Sequence, residues 1–143
     1  MLDVIRDRLI AQIPSFAGRV ETALDLTRLL KERGLPARST TFVVPLGLQG
    51  LRADAATGLF MQTYSETIGV LLVERVYDQT GSRALDDLRP TIQAVLQALA
   101  GWSAGSDLGV FELRRGELAG ISNGALLYMI EFSINDQLRI AVQ

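Results

Sequence analysis

The feature that most constrains the fold is a run of nineteen residues, Leu59–Tyr77, that is rich in apolar, aromatic and β-branched side chains and has no helical periodicity. Such a composition predicts a β-strand. Nineteen extended residues reach about 60 Å at roughly 3.3 Å per residue, whereas a compact domain of 143 residues is about 35 to 40 Å across. The strand is therefore expected to bend, to break or to extend beyond the domain that contains it.

The two halves of this run differ in polarity. Ile68–Val73 is almost wholly apolar and belongs in a core, whereas Gln62–Thr67 is polar on both faces. Burying the polar half inside one subunit would cost free energy, because its polar groups would lose water. We expect Gln62–Thr67 to form a solvated extension of the sheet or an arm that meets another chain, with Gly69 as a natural position for a bend.

Three amphipathic or apolar-striped segments predict helices. Apolar residues at helical spacing predict the first over residues 2–13. Thr22 and Asp25 resemble a capping box and predict a second helix that runs to Arg33, where Gly34 and Pro36 end it. The third and longest ends at Gly101 and contains Pro90, which predicts either a kink or a main helix that begins at that proline.

Shorter strands and turns complete the predicted architecture. Segments rich in β-branched and aromatic residues predict strands at Thr40–Val44, Val110–Arg114 and Ala125–Ile134. Gly47–Gly58 contains three glycines without apolar periodicity and is predicted to be a surface loop, and Asn123-Gly124 is a turn signal. The predicted fold class is α+β: a mostly antiparallel β-sheet of about four strands packed against two or three α-helices, with a long projecting strand, in one domain over residues 1–143.

The composition argues against catalysis. The chain contains no cysteine and no histidine, which excludes thiolate nucleophiles and removes the commonest metal ligand and acid–base group. No phosphate-cradling glycine motif and no dinucleotide fingerprint is present. We expect no enzymatic activity, no cofactor and no metal.

The charge distribution and hydropathy limit the partners. The net charge is −2, and all fourteen cationic side chains are arginine except Lys31, with no basic patch among them. Autonomous binding to nucleic acid is therefore not expected, because such binding depends on clustered phosphate contacts. No apolar run approaches the roughly 20 residues of a spanning helix, and the N-terminus lacks the apolar core of a signal peptide. We expect the protein to stay in the cytoplasm where it is made.

Charged residues on predicted strands give two candidate sites. Glu66, Glu112 and Glu131 could converge as a carboxylate cluster, but no spacing rule links them. An enzyme that uses carboxylates alone is therefore an alternative function that no sequence motif supports. Arg114 and Arg115 are predicted at a hairpin end, where they form either a solvated turn or a contact with another subunit.

Five stretches in their order carry a family resemblance. They are the helix MLDVIRDRLIAQIP, the strand TTFVVPLG, the long strand FMQTYSETIGVLLVERV, the helix ALDDLRPTIQAVLQALAGW and the closing FELRRGELAGISNGALLYMIEFSI. Over about residues 1–135, this order resembles the tail terminator proteins of long-tailed phages.

The resemblance implies a structural virion protein that acts through subunit contacts. It implies a ring, commonly of six copies, that caps the tail tube, stops its polymerisation and offers a docking surface to the head connector. The implied partners are the tail tube protein and the head-tail connector protein, with DNA only passing through the lumen, no sequence-specific binding and no membrane. The implied location is the tail–neck junction of the virion, after assembly in the host bacterial cytoplasm.

A head-to-tail ring needs two different patches that fit each other. We predict that Gln62, Tyr64 and Glu66 belong to one of these patches and that Arg114 and Arg115 belong to the other. The alternative to the ring is a dimeric ferredoxin-like α+β ligand-binding module, in which two sheets face each other around an apolar pocket.

Overall fold

The computed structural model describes residues 1–24, 36–56, 58–76, 82–105, 109–122 and 124–141, together with positions 28, 31 and 34. Two α-helices, a short 3-10 helix and five strands have both ends within this part of the chain, and positions 28 and 31 are also helical. They are α1 (Leu2–Gln12), the 3-10 helix (Pro14–Phe16), β1 (Val20–Thr22), β2 (Thr40–Ala56), β3 (Leu59–Arg75), α2 (Ser82–Leu99), β4 (Glu112–Ser122) and β5 (Ala125–Ala141). Neither of these two α-helices combines the length and apolar character that crossing a bilayer requires.

The strands form one mixed sheet in the order β1-β2-β3-β5-β4. β1 pairs with β2 in parallel, and every other neighbouring pair is antiparallel. The predicted α+β class is confirmed, with five strands where about four were expected. The predicted helix that ends at Arg33 falls largely outside the described residues.

The segment predicted as a loop, Gly47–Gly58, instead continues strand β2 as far as Ala56. It pairs with β3 from Thr67 to Leu59, so the hairpin turns around Gly58, whose φ is 81°. Two register shifts in β2, between Pro45 and Gly47 and between Gly50 and Ala53, explain the missed strand. Each extra residue reverses which face the following side chains occupy, and the alternation that would predict a strand is lost.

The predicted overlong strand is present, and two further strands are equally long. β2, β3 and β5 each contain 17 residues, about 56 Å at roughly 3.3 Å per residue. The buried apolar residues of these three strands all lie within the segments 42–44, 68–73 and 125–134. The remaining parts, residues 46–56, 59–67 and 135–141, form a three-stranded extension that we call the arm.

The core lies at the other end of the sheet and occupies both of its faces. On one face the two helices pack on the sheet through Leu9 and Leu88, against Val70 and Phe132. On the opposite face a smaller buried cluster forms around Leu71, with the members Ala23, Phe42, Val44, Val73 and Ala125. Burial on both faces explains why Ile68–Val73 reads as a continuous apolar run rather than as an alternation.

Gly109 touches the backbone of β5 so closely that a side chain cannot be added without movement. A Cβ atom at this position would lie 2.7 Å from the backbone oxygen of Asn135. We expect Gly109→Ala to lower the free energy of unfolding by about 1–3 kcal/mol, because overpacking against backbone forces a shift. Urea denaturation measures this change.

Gly50→Ala is the matched control for this substitution. A Cβ atom there would lie 2.8 Å from the side-chain nitrogen of Gln62, which can rotate away. The expected loss is below about 1 kcal/mol. Equal losses of unfolding free energy in the two variants would show that the contact with the backbone of Asn135 is not what makes Gly109→Ala destabilising.

Candidate subunit interface

The predicted interface residues of β3 share one face of the arm. Gln62, Tyr64 and Glu66 alternate along the strand, and the same alternation continues into Ile68, Val70 and Leu72, which pack beneath the helices. We call this the helix-side face of the sheet. The three residues therefore lie on that face, beyond the part of the sheet that carries the core.

The helix-side face of the arm is less polar than β3 alone indicates. The cross-strand neighbours of Glu66 and Gln62 are Leu48 on β2 and Leu138 on β5, whose side chains are 69% and 39% exposed. A depression of about 410 Å³ lies between these strands, lined by Leu48, Gly50, Gln62, Tyr64, Glu66 and Leu138. Sequence reasoning missed both leucines, because it predicted a loop on β2 and ended β5 at Ile134.

Tyr64 is held in place within this face. Its hydroxyl donates a hydrogen bond to the carboxylate of Asp136 on β5, at 3.2 Å between the oxygens. Partial burial raises the pKa of the Tyr64 phenol, and the hydrogen bond to Asp136 and the negative charges of Asp136 and Glu66 raise it further. The phenol is therefore a hydrogen-bond donor throughout the neutral pH range.

Arg114 and Arg115 lie within strand β4 rather than at a hairpin end. The last pair of the β4–β5 hairpin is Ser122 with Ala125, and Gly124, which precedes β5, has a φ of 74°; Asn123 of the predicted turn signal lies outside the described residues. Register shifts between Leu113 and Arg115 and between Leu118 and Gly120 let the strand continue through its glycines. The prediction of a turn at the two arginines was therefore wrong.

The two arginines face the side of the sheet opposite the helices. The guanidinium of Arg114 donates to the hydroxyl of Thr67 at 3.3 Å, and Arg115 bonds to the carboxylate of Glu131. Thr67 and Glu131 alternate with residues of the helix-side face, so they belong to the opposite one. A second depression, of about 440 Å³, lies among these four residues and Leu46.

The two arginines differ in their ion pairs. Arg115 pairs with both Glu131 and Glu117, the latter at 3.1 Å, and the hydrogen bond to Glu131 and the charges of both carboxylates raise its pKa. Arg114 is the extra residue at the bulge and has no ion pair within the described part of the chain. Arg115 is therefore paired with two carboxylates of its own subunit, whereas Arg114 is exposed and donates to the neutral hydroxyl of Thr67.

The carboxylates considered as a catalytic cluster do not converge. Glu66 lies on the helix-side face, whereas Glu131 lies on the opposite face. Across the described ranges, no group of three or more acidic side chains is placed to hold a metal ion. Glu66, Glu112 and Glu131 thus do not form the shared site that the carboxylate-only rival requires.

Comparison with known families accounts for nearly the whole chain. The family model described as phage tail terminator protein matches residues 2–142. The chain belongs to this family. The match extends past the predicted limit near residue 135 to the end of β5, and so includes all three strands of the arm. Membership makes the chain a structural protein of a phage-type tail.

A solved structure shares the fold of this family member. A chain of the "Virion of native gene transfer agent (GTA) particle" superposes with a TM-score of 0.57 and covers 96% of this chain and 95% of that chain, at 14% sequence identity. At this identity the likeness shows the fold alone. No curated protein matches the chain significantly.

The sheet topology also corrects the ferredoxin-like alternative. In a ferredoxin-like domain the parallel strands are split by another strand between them. Here the parallel strands β1 and β2 are direct neighbours. The ferredoxin-like assignment is therefore wrong.

Proposed function

We propose that this chain forms a ring of six copies that caps a tail tube, stops its polymerisation and provides the docking surface for the head-tail connector protein. In this proposal the tail tube protein binds one side of the ring, and the ring sits at the tail–neck junction after assembly in the host bacterial cytoplasm. The chain acts by subunit contact, without catalysis or cofactor.

The arm is the observation that carries the proposal. It extends two faces of the sheet beyond the core and exposes large apolar side chains there, among them Leu48, Leu138 and Ile140. A cluster of exposed apolar residues on a soluble subunit marks a surface that another protein covers. In a tail protein that repeats around an axis, the nearest available cover is a neighbouring copy.

The placement of the two predicted patches supports a ring rather than a two-fold dimer. Gln62, Tyr64 and Glu66 lie on the helix-side face, and Arg114 and Arg115 lie on the opposite face. Patches on opposite faces cannot satisfy each other within one pair of subunits. Each bound copy therefore leaves one patch open for the next, until rotation closes the assembly.

The charge of the chain suits the passage of DNA through such a ring. A net charge of −2 without a basic patch offers few of the clustered phosphate contacts that retain DNA. In the proposed ring, DNA therefore passes through the lumen without sequence-specific binding.

Electron microscopy of growing tail tubes tests the capping function. The purified chain is added to tubes that assemble from the tail tube protein of the same particle. We expect elongation to stop and tube ends to carry one additional ring of density around an open lumen. Tubes that lengthen at the same rate with and without the chain would contradict the proposal.

A further inference from the structure

The depression on the helix-side face of the arm has the chemistry of a binding site for a long cationic side chain. Its walls are the apolar side chains of Leu48 and Leu138, and Glu66 supplies a carboxylate. Its volume of about 410 Å³ falls at the lower end of the range of roughly 300–1,000 Å³ for pockets that hold ligands. Arginine combines an apolar stem with a terminal charge and so matches both components.

Glu66 is the carboxylate in this depression that is available to a partner. The two oxygens of Asp136 already accept hydrogen bonds, one from the hydroxyl of Tyr64 and one from the backbone N–H of Gln137 at 2.7 Å. Glu66 has no ion pair among the described residues. The side chain of Tyr64, fixed by Asp136, gives the depression a rigid aromatic surface beside that carboxylate.

The chain carries a matching cation on the other face of the sheet. Arg114, the extra residue at the bulge of β4, is exposed; its guanidinium donates to the hydroxyl of Thr67 and has no ion pair among the described residues. Its neighbour Arg115 is held by Glu117 and Glu131.

We infer that Arg114 of one copy enters the depression of the next copy and forms an ion pair with Glu66, between the side chains of Leu48 and Leu138. This inference rests on the proposed ring and names its closing contact. It separates the roles of the two arginines: Arg114 reaches the neighbour, whereas Arg115 holds β4 against β5.

Glu66 and Arg114 of one copy cannot pair with each other. β3 and β4 are separated by β5, so Glu66 and Arg114 lie two strand spacings apart, or about 9.6 Å laterally at roughly 4.8 Å per strand. Their side chains also leave the sheet on opposite faces. The same contact, repeated from copy to copy, is heterologous, and such a contact builds a ring when the rotation between copies closes.

A charge-reversal experiment tests the contact. Glu66→Arg and Arg114→Glu are prepared singly and together, and assembly is followed by analytical ultracentrifugation over a range of concentrations. Each single variant is expected to raise the concentration for half-assembly by at least about tenfold, because two like charges then meet. The combined variant restores opposite charges and is expected to return to within about threefold of the wild-type value.

Arg139→Glu combined with Glu66→Arg is the matched control, because Arg139 is an exposed arginine on the same face as Arg114 that donates to Gln137 and belongs to no proposed contact. This variant is expected not to recover assembly. Urea unfolding of each variant verifies that the subunit is intact, since neither Glu66 nor Arg114 is part of the buried core.

The outcomes separate this contact from the ring itself. Rings that tolerate the single reversals, or a combined variant that stays as weak as either one, would overturn the contact between Arg114 and Glu66 and leave the ring standing. A wild-type chain that never assembles would overturn both.

Discussion

Replacing Phe132 with alanine is expected to lower the free energy of unfolding by about 3–5 kcal/mol. The side chain has 0% exposure and lies on β5 between Ile68 of β3 and Leu113 of β4. It packs in the cluster that joins the sheet to both helices. Removing the ring forfeits its burial and leaves a cavity that close-packed neighbours fill only in part. Urea denaturation, fitted with a common slope, measures the loss.

Ile140→Ala is the control for this prediction. Ile140 lies on the same strand and the same face as Phe132, but in the arm, where it is 53% exposed. The isolated subunit should lose no more than about 1 kcal/mol on this truncation. If Ile140→Ala destabilised the subunit as much as Phe132→Ala, the division between a core half and an arm would be incorrect.

The combined variant Tyr64→Ala with Glu66→Arg is expected to convert the ring into single subunits. The first change removes the aromatic surface of the depression and its bond to Asp136, and the second places a cation where the neighbour is proposed to insert one. The repulsion between like charges and the loss of the aromatic side chain both weaken the contact, and they do so at every interface of the ring. Light scattering of the purified variant measures the assembly, and an unchanged oligomer size would show that this face is not the interface.

Thr63→Ala with Asp54→Arg is the matched control on the other face of the arm. Asp54 and Met61 are paired across β2 and β3, so Asp54 and Thr63 share the face opposite to Tyr64. This variant makes the same reversal from an acid to an arginine, together with a smaller truncation to alanine, on the opposite face of the arm. Assembly should persist in it, since neither residue belongs to a proposed contact.

Local sequence patterns predicted the helices and strands that are specified by their own residues rather than by pairing with a distant strand. The run predicted from Leu59 onward forms β3 as far as Arg75, the helical spacing over 2–13 forms α1, and Gly124 of the turn signal directly precedes β5. The second half of β2 was missed because its two bulges interrupt the alternation. The end of β5 was missed because the polar residues after Ile134 form a strand only where β3 supplies the partner.

The candidate interface was predictable to a similar degree. Alternation along β3 is enough to place Gln62, Tyr64 and Glu66 on one face. The depression they border requires Leu48 and Leu138, which join it only through strand pairing. The different roles of Arg114 and Arg115 follow from a bulge between them and from carboxylates that are distant in sequence, such as Glu131. Neither the bulge nor the distant carboxylates can be recognised from the residues that flank the two arginines in the sequence.

Native mass spectrometry of the purified wild-type chain, taken at increasing concentration, tests most directly the claim that the arm completes a neighbouring subunit. We expect a closed species of six copies of the 15.6 kDa chain, without a retained small molecule and without an open-ended series of larger species. A chain that stops at two copies and retains a small molecule, or one that remains a single copy at every concentration, would contradict it.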